Sequence, residues 1–321
     1  MNRVASALVL AVLAGPPQAP PAEAPKKDAA VSVGYVLVPV VVTDAKGRTI
    51  AGLRQGDFTV VVEDRPVAID LFSASGDAPV SFTILLDGSG SMALAGKMDG
   101  ARAAIEALVS QAKPEDDFSL FLFAEGAVRE LVPFTSDGER LVRAARSIKP
   151  YGKTAFFDAL ARMPDQTLRG KNGSRAIVLL TDGIDNASVL TREQLTELLQ
   201  GVDVPVYPIA LRTAASGFGP GDPREHDVDV NLLKRIAFET GGRLAVVEEA
   251  GMLAAAIREI EKDLRSQYLL GFTPTGSGPV KYRQISLMVA GRIGTYRTRS
   301  GYRGTEPPWL ETSSRKKGKK T

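Results

Sequence analysis

The spacing of hydrophobic residues divides the chain into a central segment and two flanks of different character. In the centre, at about 78–265, apolar runs of strand length alternate with stretches whose apolar residues recur every three or four positions. This alternation predicts an α/β fold, a doubly wound and mostly parallel sheet with helices on both faces. The predicted strands span 80–86, 117–124, 174–182, 204–211 and 244–247. The predicted helices span 98–112, 138–148, 155–168, 191–199, 230–240 and 251–265.

The two flanks carry short strands separated by turn residues. These predicted strands are 35–43, 58–63 and 67–72 on one side and 267–273, 283–289 and 295–299 on the other. Three short strands cannot easily bury both faces alone, so each flank needs partners. Because chain ends often lie close together, we expect 34–77 to pair with 266–304 in a small β-sandwich into which the domain at 78–265 is inserted. Two independent β extensions, or strands added to the main sheet, are the alternatives.

The chain begins with a segment typical of export. Arg3 precedes a short apolar run at 4–15, and the small residues around Ala24 suit cleavage. We therefore predict a signal peptide at 1–24 and a Pro/Ala-rich linker at 25–33, with a buried N-terminal helix as the alternative. The apolar run is shorter than the roughly 20 residues that a membrane span needs, and no other stretch comes close. We expect no transmembrane segment and a soluble exported protein, either periplasmic or extracellular.

The charge of the chain is concentrated at its end. The sequence has 40 basic and 37 acidic residues, a net charge of +3, but five of the basic residues lie in the last seven positions. Without them the balance is −2, so the folded part has no bias toward nucleic acid. We expect 305–321 to be a disordered basic tail, and a weak contact with an anionic surface is the alternative.

The strand at 80–86 is followed by small residues that carry oxygen. Asp87, Ser89 and Ser91 occupy alternate positions, and the glycines between them let the backbone turn tightly. A carboxylate and two hydroxyls placed in this way at a strand end can point at one spot. Hard oxygen ligands suit Mg²⁺, Ca²⁺ or Mn²⁺ better than softer metals, so the sequence predicts part of a metal site.

Two further loops offer matching oxygens. Asp182 closes another buried strand and is followed by glycine, as Asp87 is, and Thr154 lies in the loop before a helix. Loops at the carboxyl ends of parallel strands converge, so we expect these side chains to meet. The predicted metal ligands are Asp87, Ser89, Ser91, Thr154 and Asp182, and water would complete about six positions.

Three residues near these loops allow other interpretations. Thr154 would alternatively act only as the cap of its helix. Asp158, one turn into that helix, either braces the metal loop or has an ordinary capping role. Asp185 follows the third loop and is expected to be a solvated turn residue.

In this order and context, the five predicted ligands resemble the metal-ion-dependent adhesion site of a von Willebrand factor type A domain. The family's Asp-x-Ser-x-Ser motif is matched at 87–91, its threonine at Thr154, and its strand-end aspartate with a following glycine at Asp182. Lys153 departs from the commoner Gly-Gly-Thr form of the second loop. The flanks, including the segment from Tyr268, are similar to a bacterial exported subgroup of this family.

The resemblance implies how such a site would work. Ser89, Ser91 and Thr154 would touch the metal through their hydroxyls, and Asp87 and Asp182 would bind largely through water. The cation, Mg²⁺ first with Mn²⁺ or Ca²⁺ as alternatives, would keep one open position. Family members use that position to accept a carboxylate from a protein ligand.

We therefore expect an exported adhesion or interaction module that captures an Asp or Glu side chain of a protein partner, and not an enzyme. His226 is the single histidine of the sequence, so a catalytic triad would depend on it alone and zinc sites built from His and Cys are excluded. The alternatives are a metal-dependent hydrolase of a phosphorylated or carboxylated substrate, and a structural envelope component whose metal only ties the loops together.

Overall fold

The computed structural model describes residues 35–74, 78–183, 185–211, 229–274, 276, 278–291 and 295–307. The predicted signal peptide at 1–24, the linker at 25–33, the tail from 308 onward and His226 lie outside these described residues. Within them, no helix is long and apolar enough to cross a membrane.

The described chain alternates strands and helices in its middle and has strands alone toward both ends. In chain order the strands are β1 (Val36–Thr43), β2 (Phe58–Val62), β3 (Arg65–Val67), β4 (Leu71–Ala74), β5 (Val80–Asp87), β6 (Asp117–Ala124), β7 (Ala127–Thr135), β8 (Ser174–Thr181), β9 (Val206–Leu211), β10 (Ala245–Val247), β11 (Tyr268–Phe272), β12 (Lys281–Val289), β13 (Thr295–Arg297) and β14 (Gly301–Gly304). The α-helices are α1 (Lys97–Gln111), α2 (Gly138–Ser147), α3 (Phe156–Thr167), α4 (Arg192–Leu199), α5 (Val230–Thr240) and α6 (Leu253–Arg265).

A six-stranded sheet forms the centre of the fold, with the strand order β10-β9-β8-β5-β6-β7. All neighbouring pairs are parallel except β6 and β7, which pair antiparallel. The strands that follow β5 extend the sheet in one direction as far as β7, and those from β8 onward extend it in the other. The carboxyl ends of β5 and β8 therefore meet at the switch point where α/β sheets form their ligand crevices. The prediction of a mixed α/β fold with a mostly parallel sheet is confirmed.

Helices cover both faces of this sheet. One hydrophobic cluster joins Phe82 and Ile84 of β5 to residues of α1, α2 and α6. A second cluster joins Leu85, which points to the opposite face, to residues of α3, α4 and α5. Every residue of β5 is buried, and a strand covered on both faces needs the continuous apolar run that its sequence contains. Asp87, at the end of that run, is therefore an acid held inside the protein.

One strand of the central sheet has no counterpart in the prediction. β7 follows β6 through Glu125 and Gly126, whose φ angles of 52° and 71° both lie in the left-handed region. Two successive positive φ angles are typical of the tight hairpin turn that Asn-Gly or Asp-Gly usually signals. Glutamate in the first position obscures that signal, and most of β7 is exposed or half-buried, so its hydrophobic pattern is weak.

Strands from the two flanks pair with each other in two four-stranded sheets, β13-β1-β11-β4 and β14-β12-β2-β3. Every pair in these sheets is antiparallel. Both sheets contribute to a third hydrophobic cluster, with Val40 and Leu270 from the first and Val60 and Leu287 from the second. Segments before and after the central sheet are thus interleaved and share a core.

The predicted single strand at 67–72 is wrong, because two strands, β3 and β4, share this part of the chain. β3 pairs with β2 and β4 pairs with β11, so the chain passes from one flanking sheet to the other between them. Asp70 marks the crossing, since its N–H donates to Gly271 O and its carboxylate accepts a hydrogen bond from Thr273 N. Asp70 interrupts the apolar residues of 67–72, but a single acid does not by itself reveal such a change of sheet.

A buried ion pair connects the start of β5 to the end of α6. Asp116 is fully buried, and it accepts hydrogen bonds from Arg265 Nη2 at 2.7 Å and from the backbone N–H groups of Val80 and Lys113, each at 2.8 Å. Burial alone would raise the pKa of Asp116, but these hydrogen bonds outweigh it and hold the pKa below its ordinary value.

We expect Asp116→Asn to lower the free energy of unfolding by about 3 kcal/mol, because it removes the buried charge opposite the Arg265 guanidinium, which then keeps the ion pair with Glu261 but loses the shorter one. Since the pKa of Asp116 is lower in the folded state, its stabilisation is present above the unfolded-state pKa and is lost as the pH falls through the folded-state pKa. Urea titrations at pH 7 and at stepwise lower pH measure both effects. The control is Asp165→Asn at an exposed position of α3, and equal stability of the two variants would contradict the prediction.

Candidate metal centre

Asp87 ends β5 and organises the first loop of the site. The side chain is fully buried. Its Oδ1 accepts a hydrogen bond from Ser89 N at 2.9 Å, which folds the loop back over the strand end. Its Oδ2 accepts one from Thr181 Oγ1 at 2.7 Å, which ties β5 to the last residue of β8. Asp87 therefore links two of the strand ends at which the site was predicted.

The two serines of the first loop present neighbouring hydroxyls. Ser89 is 1% exposed, and its Oγ lies 3.1 Å from Ser91 Oγ. A short 3-10 turn, Gly90–Ala93, begins directly after Ser89 and turns the chain toward α1. Gly88 is required for packing, because a Cβ at that position would lie 2.6 Å from Leu122 Cδ1. Gly88 therefore allows close packing against Leu122 in addition to the tight turn of the loop.

The second loop carries Thr154 and is fastened to the first by backbone hydrogen bonds. Gly90 N donates to Gly152 O at 2.9 Å, and Tyr151 N donates to Gly88 O at 2.8 Å. Gly152 has a φ of +74°, a conformation that other residues rarely adopt. Thr154 itself is 2% exposed, so its side chain belongs to the interior of the site.

The third loop follows β8 and is joined to the second through Thr154. Asp182, directly after the strand, is 1% exposed. Thr154 N donates to Asn186 Oδ1 at 2.9 Å, and Thr154 O accepts from the N–H groups of Asn186 and Ala187, each at 3.0 Å. The three loops are therefore linked in sequence by hydrogen bonds, with the Thr154 loop in the middle.

Asp158 and Asp185 brace this assembly. Asp158 accepts hydrogen bonds from the N–H groups of Val189 and Leu190, which holds the third loop against the start of α3. Asp185 accepts from Phe157 N at 3.0 Å and from Ser188 Oγ at 2.6 Å. The bracing role considered for Asp158 is the one that these contacts support, and Asp185 is half-buried rather than fully solvated.

The electrostatics of the site reflect two acids in a desolvated position. Burial first, and then the charge of nearby Asp182, raise the pKa of Asp87 to about 6 against the opposing hydrogen bonds from Ser89 and Thr181. Two carboxylates that share a buried site disfavour each other's ionisation unless positive charge lies close by. Positive charge near these acids would therefore favour their ionised forms.

One positive charge comes from a residue that the sequence analysis did not single out. Lys97, the first residue of α1, places its Nζ 2.9 Å from Asp182 Oδ2. The signal that could have revealed it is its place in the first helical turn, where the helix dipole disfavours a cation. The other carboxylate oxygen, Asp182 Oδ1, is buried and has no hydrogen-bond partner among the residues that the structure describes.

These donors fit a hard divalent cation. Among the described residues, no group of three or more His, Cys, Asp and Glu side chains could hold a metal ion. Asp87 and Asp182 are two carboxylates, so a cation here would depend on hydroxyl oxygens and water for its remaining ligands. The unpaired Asp182 Oδ1 is the kind of buried acceptor whose cost such a cation would remove.

Residues 82–184 match the family model of the von Willebrand factor type A domain. This segment, about a third of the chain, is similar to that domain family, and all five predicted ligands lie inside it. Such domains commonly mediate protein–protein interactions.

Solved structures with similar folds come from several bacteria. The conserved hypothetical protein BatB from Bacteroides thetaiotaomicron shares 23% identity over 58% of this chain and 100% of that one, with a TM-score of 0.47. The vWF domain of the type V pili tip protein Mfa5 from Porphyromonas gingivalis shares 13% sequence identity. The match covers 57% of this chain and 94% of that one, with a TM-score of 0.44. A von Willebrand factor type A structure from Catenulispora acidiphila shares 14% sequence identity. The match covers 85% of this chain and 73% of that one, with a TM-score of 0.49. No curated protein matches the chain.

We expect Thr181→Val to lower the free energy of unfolding in metal-free buffer by about 2 kcal/mol, because it removes the hydroxyl that donates to the buried Asp87 carboxylate. Thr83→Val is the matched control, since Thr83 is equally buried but its hydroxyl contacts only the neutral hydroxyls of Ser119 and Thr167. Urea unfolding followed by circular dichroism measures both variants. A loss in Thr83→Val as large as that in Thr181→Val would contradict the prediction.

Proposed function

We propose that this protein is an exported interaction module that captures an acidic side chain of a protein partner through a divalent cation. The observation that carries the proposal is the buried Asp182 Oδ1, which lacks a hydrogen-bond donor and lies in a site that already holds a second buried acid, Asp87. A buried acceptor of this kind is costly unless a ligand satisfies it.

The five predicted ligands have distinct roles in this proposal. Ser89, Ser91 and Thr154 would offer hydroxyl oxygens, and Asp87 and Asp182 would supply the negative charge. A bound divalent cation, Mg²⁺ first, would provide an electron-poor position that accepts a partner's carboxylate. Binding rather than catalysis is supported by this donor set, because neutral hydroxyls leave the cation's charge only partly neutralised.

Exposed apolar side chains on all three loops support a protein partner. Leu94, Tyr151 and Val189 are 59%, 44% and 89% exposed. Leu94 and Tyr151 lie three residues from Ser91 and Thr154, and Val189 lies seven residues after Asp182, so we infer an apolar rim around the acid-binding centre. Lys153, also exposed, adds positive charge next to Tyr151. We infer that the partner presents an Asp or Glu flanked by aliphatic or aromatic residues, which such a rim would desolvate.

The proposal of export depends on the N-terminal sequence. The apolar run after Arg3 and the Pro/Ala-rich segment that follows are typical of a signal peptide and a linker.

Divalent cations are expected to stabilise the protein. At a concentration of about 100 times Kd, Mg²⁺ or Mn²⁺ should add about 2.7 kcal/mol, which raises the melting temperature by several degrees. Asp182→Asn should abolish the shift, because it removes charge from the proposed ligand set, whereas Asp165→Asn should keep it. Differential scanning calorimetry with EDTA and with each metal measures the shift. No shift with Mg²⁺, Mn²⁺ or Ca²⁺ in the wild-type protein would sink the metal proposal.

Peptide selection tests the chemistry of the partner. From a random displayed library in Mg²⁺, the wild-type protein should select peptides that carry an acid between apolar residues. Binding of a selected peptide should be lost in EDTA and with Asp182→Asn, and weakened about tenfold by Tyr151→Ser, since aromatic anchors dominate such contacts. Tyr35→Ser, at another exposed tyrosine outside the three loops, is the control. Selected peptides that lack an acid, or bind equally in EDTA, would contradict the proposal.

A further inference from the structure

Lys97 occupies an unusual place for a lysine. Its side chain is 12% exposed, and its ammonium lies 2.9 Å from the carboxylate of Asp182, which is itself buried. Lysine is a strongly hydrated cation that normally extends into water, so its withdrawal into the site requires a specific partner. Asp182 Oδ2 is that partner, while Oδ1 of the same carboxylate has none.

The backbone before Lys97 is shaped to direct it toward the site. Ala95 and Gly96 have φ angles of 54° and 73°, so two successive residues lie in the left-handed region, one of them with a side chain. Alanine rarely adopts this conformation, and such strain persists only where the surroundings enforce it. The turn starts α1 at Lys97, although a cation at a helix N-terminus opposes the helix dipole. The ion pair between Lys97 and Asp182 is thus accompanied by two local costs, the backbone conformation of Ala95 and the position of a cation at a helix N-terminus.

From these contacts we propose that Lys97 is a tethered counter-ion of the candidate metal centre, which neutralises Asp182 in the metal-free protein and competes with the divalent cation for it. This inference rests on the proposed metal site. Without Lys97 the two buried acids, Asp87 and Asp182, would face each other with no opposite charge among the contacts of Asp182. With it, the metal-free site is held together by the chain's own charge.

The competition has two linked consequences. A ligand that binds where the ammonium already lies must displace it, so Lys97 lowers the affinity for divalent cations. By the same linkage, Lys97 stabilises the metal-free protein more than the metal-bound protein. The flexible four-carbon stem of lysine, already partly open to solvent, allows the ammonium to withdraw when a metal binds.

The experiment compares Lys97→Met, Lys97→Arg and Lys234→Met with the wild-type protein. Lys234 is an exposed lysine of α5 and controls for the chemical change alone. Isothermal titration with Mg²⁺ and with Mn²⁺ measures affinity, and calorimetry in EDTA measures the melting temperature of the metal-free form. We expect Lys97→Met to bind metal at least tenfold more tightly and to melt at a lower temperature in EDTA. Lys97→Arg keeps the charge and should resemble the wild type in both respects.

The outcomes separate this inference from the proposed function. Metal affinity that is equal or lower in Lys97→Met overturns the counter-ion role, even where the wild-type protein binds metal. Metal binding by Lys97→Met but not by the wild type supports the role in its strongest form. If neither protein binds a divalent cation, both the metal site and the competition are overturned. A gain in affinity that Lys234→Met reproduces would attribute the effect to net charge and would also overturn the inference.

Discussion

Two acids buried side by side at the ends of parallel strands are the constraint on which this structure depends. The pairing of β5 with β8 carries Asp87 and Asp182 to the same edge of the central sheet. A low-dielectric interior disfavours two adjacent negative charges unless donors or cations compensate. The hydroxyl of Thr181 and the ammonium of Lys97 provide part of that compensation. The second oxygen of Asp182, Oδ1, stays without a hydrogen-bond partner in the part of the chain that the structure describes.

The three loops are arranged before any ligand arrives. Backbone hydrogen bonds connect the Gly90 turn to Gly152, and Thr154 to the loop after β8. Both faces of the sheet beneath them are closed by helices, so the strand ends have little freedom to shift. Preorganisation of this kind spares a ligand the entropic cost of ordering the site.

The parts of the fold that the sequence predicted are those with strong local patterns. Continuous apolar runs identify β5 and β8 because strands buried on both faces allow little else, and the acids that end these runs stand out against them. The remaining features depend on non-local partners. β7 has a weak hydrophobic pattern because most of it is exposed or half-buried, and its Glu125-Gly126 turn lacks the usual hairpin residues. The exchange of sheets near Asp70 interrupts the apolar residues at one position only. Lys97 was missed because its partner Asp182 lies 85 residues further along the chain, and a cation in the first turn of α1 is by itself a weak local signal.

The interleaving of the flanking strands sets an order on folding during synthesis. All strands of the central sheet lie between Val80 and Val247, so their partners are available as soon as that stretch has been made. β1 must wait for β11 and β13, and its Thr43 side chain pairs with a residue 252 positions further along the chain. Closing such a distant contact is slow and comes late. The flanking sheets therefore form only when the chain has been made as far as β11. A chain truncated before β11 leaves β1 and β4 without the strand that pairs with both of them.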